Sequence, residues 1–116
     1  MSIERKHTGP RMSQIVAHGG LVYLAGQVGD NTSGAPIEEQ TRDTLAGIDS
    51  LLAEAGTDKT KLLTATVWLT DMRYFDAFNA VWDAWVAPDC APARACVEAK
   101  LAAPGFDVEI MVVAAR

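Results

Sequence analysis

Apolar positions recur along the chain with two periods, and the changes between them mark out strands and helices. Gln14 to His18 and Leu21 to Val28 are short apolar runs separated by Gly19-Gly20. That glycine pair accepts the positive φ of a primed hairpin turn, so the runs predict two antiparallel strands. Asp30 to Pro36 is built almost wholly of turn-forming residues and reads as a loop. From Ile37 to Ala55, Ile37, Leu45, Ile48, Leu52 and Ala55 gather on one helical face, with Glu38, Glu39, Arg42, Asp49 and Glu54 on the other. Acidic residues in its first turn suit the positive end of the helix dipole, and Gly56 supplies the stop.

Lys61 to Leu69 predicts a third strand, with Leu63, Ala65, Val67 and Leu69 on one face and Leu62, Thr64, Thr66 and Trp68 on the other. Thr70-Asp71 can cap a second helix that runs to Val86. Its seam is Phe75, Phe78, Trp82 and Trp85, and it reads as core. Pro88 ends it. Two more strand patterns follow, one opening at Arg94 and one over Phe106 to Val113, joined by a Pro/Gly loop. The order ββαβαββ describes one α+β domain over residues 1–116, a mixed sheet with both helices on one face and crossovers long enough for parallel pairs. The opposite face, to which Trp68 and either Met111 or Ile110 contribute, has no cover within the chain, and self-association is the simplest one.

Charge narrows the range of partners. The 116 residues carry a net charge of −5, and 49% of them are apolar. No basic run exceeds the Arg5-Lys6 pair, so the chain has little with which to track a phosphate backbone, and a small-molecule ligand is expected instead of nucleic acid. Met1 to Arg11 is polar and basic with no apolar core of a leader, and no 18 apolar residues are consecutive. A cytoplasmic protein without membrane contact is the expectation. Cys90 and Cys96 have neither metal-ligand spacing nor the look of a disulfide framework. His7 on a polar tail and His18 at a hairpin turn make no metal site.

Two charges stand in apolar strand patterns, and each needs a reason. Arg94 could clamp a carboxylate through its planar fork, or could form a surface or interface ion pair. Glu109, among Val108, Ile110, Met111 and Val112, could hold or activate a water as a general acid or base, or could pair with Lys100 or Arg116 at a strand edge. Cys96 shares strand parity with Arg94, so both can face one cleft. With no histidine placed as its base, it reads as a lining residue rather than a nucleophile.

Pro92-Ala93-Arg94-Ala95-Cys96-Val97-Glu98, followed by Leu101 and Val108-Glu109-Ile110, resembles the signature of the reactive intermediate deaminase family, also called YjgF/YER057c/UK114. Ser13-Gln14, Leu24-Ala25-Gly26-Gln27, Glu39-Gln40-Thr41-Arg42, Leu52 to Gly56, and Val67 to Asp71 with Asn79 resemble family stretches in the same order. The resemblance implies a chorismate mutase-like fold, a homotrimer whose sheets meet in a central barrel, and clefts between subunits. It further implies cofactor-independent hydrolysis of short-lived 2-imino or enamine acids to ammonia and a 2-keto acid. On that reading Arg94 fixes the carboxylate, Glu109 places a water, and Gly26, Gln27, Asn79 and the Cys96 backbone complete the cradle, while Glu98 is a solvated or interface charge. Met12 stands where many deaminating members carry Tyr, which removes a phenol donor from the pocket mouth. A binder of small carboxylates that does no chemistry is the alternative; it needs Arg94 but not Glu109. Some family members also carry an endoribonuclease or translation-inhibitor role, which the acidic charge disfavours.

Overall fold

The computed structural model describes residues 2–116, and they fold as one mixed six-stranded sheet under two helices. The strands are β1 (Glu4–Thr8), β2 (Ser13–His18), β3 (Leu21–Leu24), β4 (Leu62–Leu69), β5 (Ala93–Glu98) and β6 (Val108–Ala115). Helix α1 is Ile37–Glu54 and α2 is Phe75–Trp85. The order across the sheet is β1-β2-β3-β6-β4-β5, with β4 and β5 parallel and every other neighbouring pair antiparallel. Both crossovers exist, but β6 slots between β3 and β4, so the first one joins strands that are not neighbours.

The α+β class and the two-helix cover follow the periodicity; the differences from expectation have physical causes. Residues 4–8 are not a tail. Their backbone pairs with β2, Lys6 donates to the Glu54 carbonyl, and His7 Nε2 lies 2.5 Å from Glu54 Oε2, tying the strand to the end of α1. An edge strand rich in Arg, Lys and His carries no alternating apolar signal, because neither of its faces is buried. β3 stops at Leu24, and only Gln27 continues the pairing, through a single bridge to Ile110. In β4 a register shift between Leu62 and Thr64 moves Leu62 to the buried side and leaves Leu63 exposed, reversing the assignment from simple alternation. Asp71 caps a short 3-10 turn, Met72–Tyr74, before α2 begins, and Phe75 is left exposed at the first turn of the helix.

The core lies between the helices and one sheet face. Ile15, Ala17, Val22, Leu24, Val67, Leu69, Val108, Ile110 and Val112 meet Leu45, Ile48 and Leu52 of α1 and Phe78 and Trp82 of α2. Burying each large side chain of this set contributes roughly 1.5–3 kcal/mol before entropy. Ile110 therefore belongs to the core, and Met111 to the uncovered face. By register that face carries Val16, Tyr23, Val113, Met111, Trp68 and Val97, with Glu109 as its charge within β6.

One buried polar network sets the approach to β6. Gln40, fully buried on α1, donates through Nε2 to the carbonyls of Ala35 (2.9 Å) and Gly105 (3.2 Å) and accepts through Oε1 from the Asp107 N–H (2.9 Å). Thr70 donates from its hydroxyl and its backbone to Asp107. The loop that delivers Val108 and Glu109 is thereby held to both α1 and the end of β4.

Candidate functional site

The expected residues fall into two groups on opposite faces of the sheet. Arg94 pairs in register with Ala65 and Cys96 with Val67, both core-facing positions of β4, so the two side chains point to the helix layer. Glu109 pairs with Trp68 and points to the uncovered face. β5 and β6 flank β4, and the separation of Ala65 from Trp68 is odd, which flips the face. A single cleft in one chain does not contain both charges.

The first group is built on α2 and β5. Arg94 Nη2 donates to Asn79 Oδ1 at 3.0 Å. Its guanidinium carbon lies 5.1 Å from the centre of the Trp82 ring and 5.6 Å from that of Phe78. Nη1 is buried and has no hydrogen-bond partner among the described residues. Among the described residues of one chain Arg94 makes no ion pair. Asn79, expected as either a cleft or a solvated residue, is the group that holds it. Burial pushes the Cys96 thiol up from its ordinary value, with nearby Arg94 offsetting part of the effect, which disfavours the thiolate a nucleophile needs. Glu98 accepts from the Met72 N–H at 2.8 Å and serves as a cap for the 3-10 turn.

The second group is built on β2, β3 and β6. A Cβ at Gly26 would sit 3.0 Å from Cδ and 3.3 Å from Cγ of Glu109, and closer still to Oε2, so the carboxylate lies directly over the glycine. Gln27 Nε2 donates to Gln14 Oε1 at 2.7 Å and to the Ala25 carbonyl at 3.1 Å. Met12, Gln14, Gly26 and Gln27 line an open cleft of about 570 Å³ together with His7 and Leu51, and Glu109 is not part of its lining. Glu109 makes no ion pair among the described residues; Arg116 is taken up by Glu4. Among the described residues no cluster of His, Cys, Asp or Glu is placed to hold a metal ion. No helix is long and apolar enough to cross a membrane.

Sequence reasoning missed the aromatic support of Arg94. The available signal was the four-residue spacing of Phe78 and Trp82, which reads equally well as core, and both residues are buried. Gln14 was noticed only as part of a motif, and its bond to Gln27 makes it part of the second group.

The sequence model described as endoribonuclease L-PSP matches residues 5–116. The chain belongs to the Rid/YjgF family. A RutC family protein of Haemophilus influenzae is 43% identical over 114 residues, covering 98% of each chain. RutC family protein YoaB of Escherichia coli K12 is 43% identical over 115 residues, covering 99% of each. A YjgF-family protein of Neisseria meningitidis superposes with a TM-score of 0.96 at 47% identity, over 100% of this chain and 96% of the other. A YjgF/YER057c/UK114 member from Mycobacterium tuberculosis superposes with a TM-score of 0.88 at 28% identity, over 99% and 100%. Membership accounts for the two-helix fold and for both strand motifs.

Proposed function

We propose that this Rid/YjgF protein hydrolyses 2-imino or enamine acids to ammonia and a 2-keto acid, in clefts formed where copies of the chain meet in a homotrimer. The observation that carries this reading is the division of the site: an arginine with an unpaired buried donor on one face, and a carboxylate seated over Gly26 on the other. A guanidinium so placed is satisfied by an incoming carboxylate, since a buried donor without an acceptor costs about 1–3 kcal/mol. The Glu109 carboxylate is then free to direct a water at the sp² carbon of the imine. Water adds to the C=N bond, its proton passes by way of Glu109 to nitrogen, and the tetrahedral carbinolamine collapses to the keto acid and ammonia. The uncovered face, where Val16, Tyr23, Val113, Met111, Trp68 and Val97 lie beside Glu109, supports docking of a second copy there, and three copies close the assembly. The net charge of −5 supports a small anion over RNA, despite the name of the matching family model.

Complementation between two inactive variants tests the shared cleft. Arg94→Ala should lose keto-acid binding and turnover together, whereas Glu109→Gln should keep binding and lose turnover about 10²-fold or more. When the two chains are unfolded together and reassembled at equal amounts, about one cleft in four receives Arg94 from one chain and Glu109 from the other. Ammonia release should therefore return to roughly a quarter of the wild-type rate. If the mixture stays inactive while the trimer re-forms, the two residues do not share a cleft. If the wild type gives no acceleration over buffer, the protein binds keto acids without hydrolysing imines.

A further inference from the structure

We infer that Trp82 is a positioning residue for carboxylate recognition: its ring fixes the plane of the Arg94 guanidinium and thereby decides which donors a ligand meets. The inference rests on the Arg94 clamp proposed above and adds what makes that clamp rigid. Arg94 has four rotatable side-chain bonds and one hydrogen bond, to Asn79, which alone leaves the fork free to pivot. The ring faces remove that freedom. Trp82 and Phe78 lie one turn apart on α2, with ring centres 6.1 Å apart and planes 30° from parallel, and together they form a platform under the guanidinium.

Trp82 is itself braced. The residue is 5% exposed and its ring packs against Trp85 at 5.4 Å, and Trp85 is held by its indole N–H donating to Asp49 Oδ2 at 2.9 Å and by Lys59 Nζ lying 5.1 Å over its ring. A tilt of Trp82 would have to displace this whole row. Beneath Arg94 the neighbouring strand offers Ala65, too small to compete with the ring for contact. Nη1 meets no acceptor among the described residues, so it keeps its capacity for a carboxylate oxygen while the ring contact sets the plane of the fork in advance. Preorganisation of this kind lowers the ordering cost of binding and adds no contact to the ligand.

The test compares Trp82→Phe, Trp82→Leu and Arg94→Ala in the assembled protein. Pyruvate is titrated by calorimetry, pyruvamide serves as the uncharged control, and the Arg94 side-chain nitrogens are followed by NMR after selective arginine labelling. In the wild type those resonances should be shifted by ring currents. Trp82→Phe should keep most of the shift and bind pyruvate within about threefold of wild type, because a ring face remains. Trp82→Leu should lose the shift and bind pyruvate roughly tenfold more weakly, with pyruvamide unchanged. A merely structural role would weaken both ligands or neither. Wild-type pyruvate affinity in Trp82→Leu, or a wild-type Arg94 spectrum without ring-current shifts, overturns the inference; the spectrum applies even if Trp82→Leu does not fold. If Arg94→Ala loses binding while Trp82→Leu does not, the clamp stands and the platform falls. If Arg94→Ala binds pyruvate normally, both fall.

Discussion

Replacing Gly26 with Ala adds one methyl group, and the structure says which atoms it meets. The new Cβ would lie 3.0 Å from Cδ and 3.3 Å from Cγ of Glu109, and inside the contact radius of Oε2, with nothing from the backbone among its close neighbours. Ordinary contact needs about 3.5 Å or more, so the carboxylate must retreat by about 1 Å. It can do so, being the end of a flexible side chain, and the residue is not held at a positive φ. Folding should therefore be nearly unaffected: the loss of unfolded-state freedom on Gly→Ala is worth about 0.4–1 kcal/mol of stabilisation and offsets the push. Catalysis should not be spared, because misplacing a reacting group by about 1 Å can cost up to 10²-fold. The expected loss of imine hydrolysis is about 10- to 100-fold, or roughly 1.4–2.7 kcal/mol in the barrier. Ammonia release from an imino acid generated in situ measures it, beside a thermal melt for folding and pyruvate titration for the Arg94 side. The decisive comparison is the double variant: Gly26→Ala made on top of Glu109→Gln should cost nothing further if the methyl acts through the carboxylate. Wild-type turnover in Gly26→Ala, or full additivity in the double variant, refutes the assignment of the attacking water to Glu109.

Gln40→Leu keeps the volume of the side chain but strands the Asp107 N–H and the Ala35 carbonyl, and should cost about 2–4 kcal/mol, read as a lower urea midpoint at fixed protein concentration. Cys96, its thiol pushed up by burial, should react with iodoacetamide more slowly than a free thiol in mildly alkaline buffer, and equal rates would contradict its buried setting. Asp71 is held below its ordinary value by the hydrogen bond from the Arg73 side chain and then by the Arg73 N–H. A lowered folded pKa makes the contribution present above the unfolded value of 3.8 and lost as pH falls through the folded one, so Asp71→Asn should destabilise at neutral pH and converge on wild type in acid melts. Met111→Lys puts a charge in the middle of the uncovered face and should yield monomers by sedimentation with loss of turnover, whereas an intact assembly would move the interface elsewhere.

The parts of the fold legible in the sequence were those where one face is buried and the other wet. The α1 and α2 seams belong to this class. What escaped reading has the opposite character. Strand β1 buries neither face, so no period marks it, and its place is fixed by backbone pairing and by Lys6 and His7 reaching Glu54. The shift at Leu62–Thr64 breaks alternation with residues that are equally apolar on either side, so composition could not reveal it. Ile110 and Met111 were interchangeable as sequence and were separated only by the register of β6 against β4.

The same limit governs the site. Arg94 and Cys96 could be placed on one face from spacing within a single strand, because alternation inside a strand is local. Whether Arg94 and Glu109 share a face depends on two registers, β5 against β4 and β6 against β4, and neither is written in the spacing of the two residues. Ala65 opposite Arg94 and Trp68 opposite Glu109 decide the matter, and they decide it against a cleft within one chain. The motif is thus two motifs that fold to opposite sides, each incomplete in a different way: the arginine holds an unspent donor, and the carboxylate an unpaired charge. On the proposed shared cleft one ligand between two copies would meet both, so assembly and catalysis are expected to be lost together.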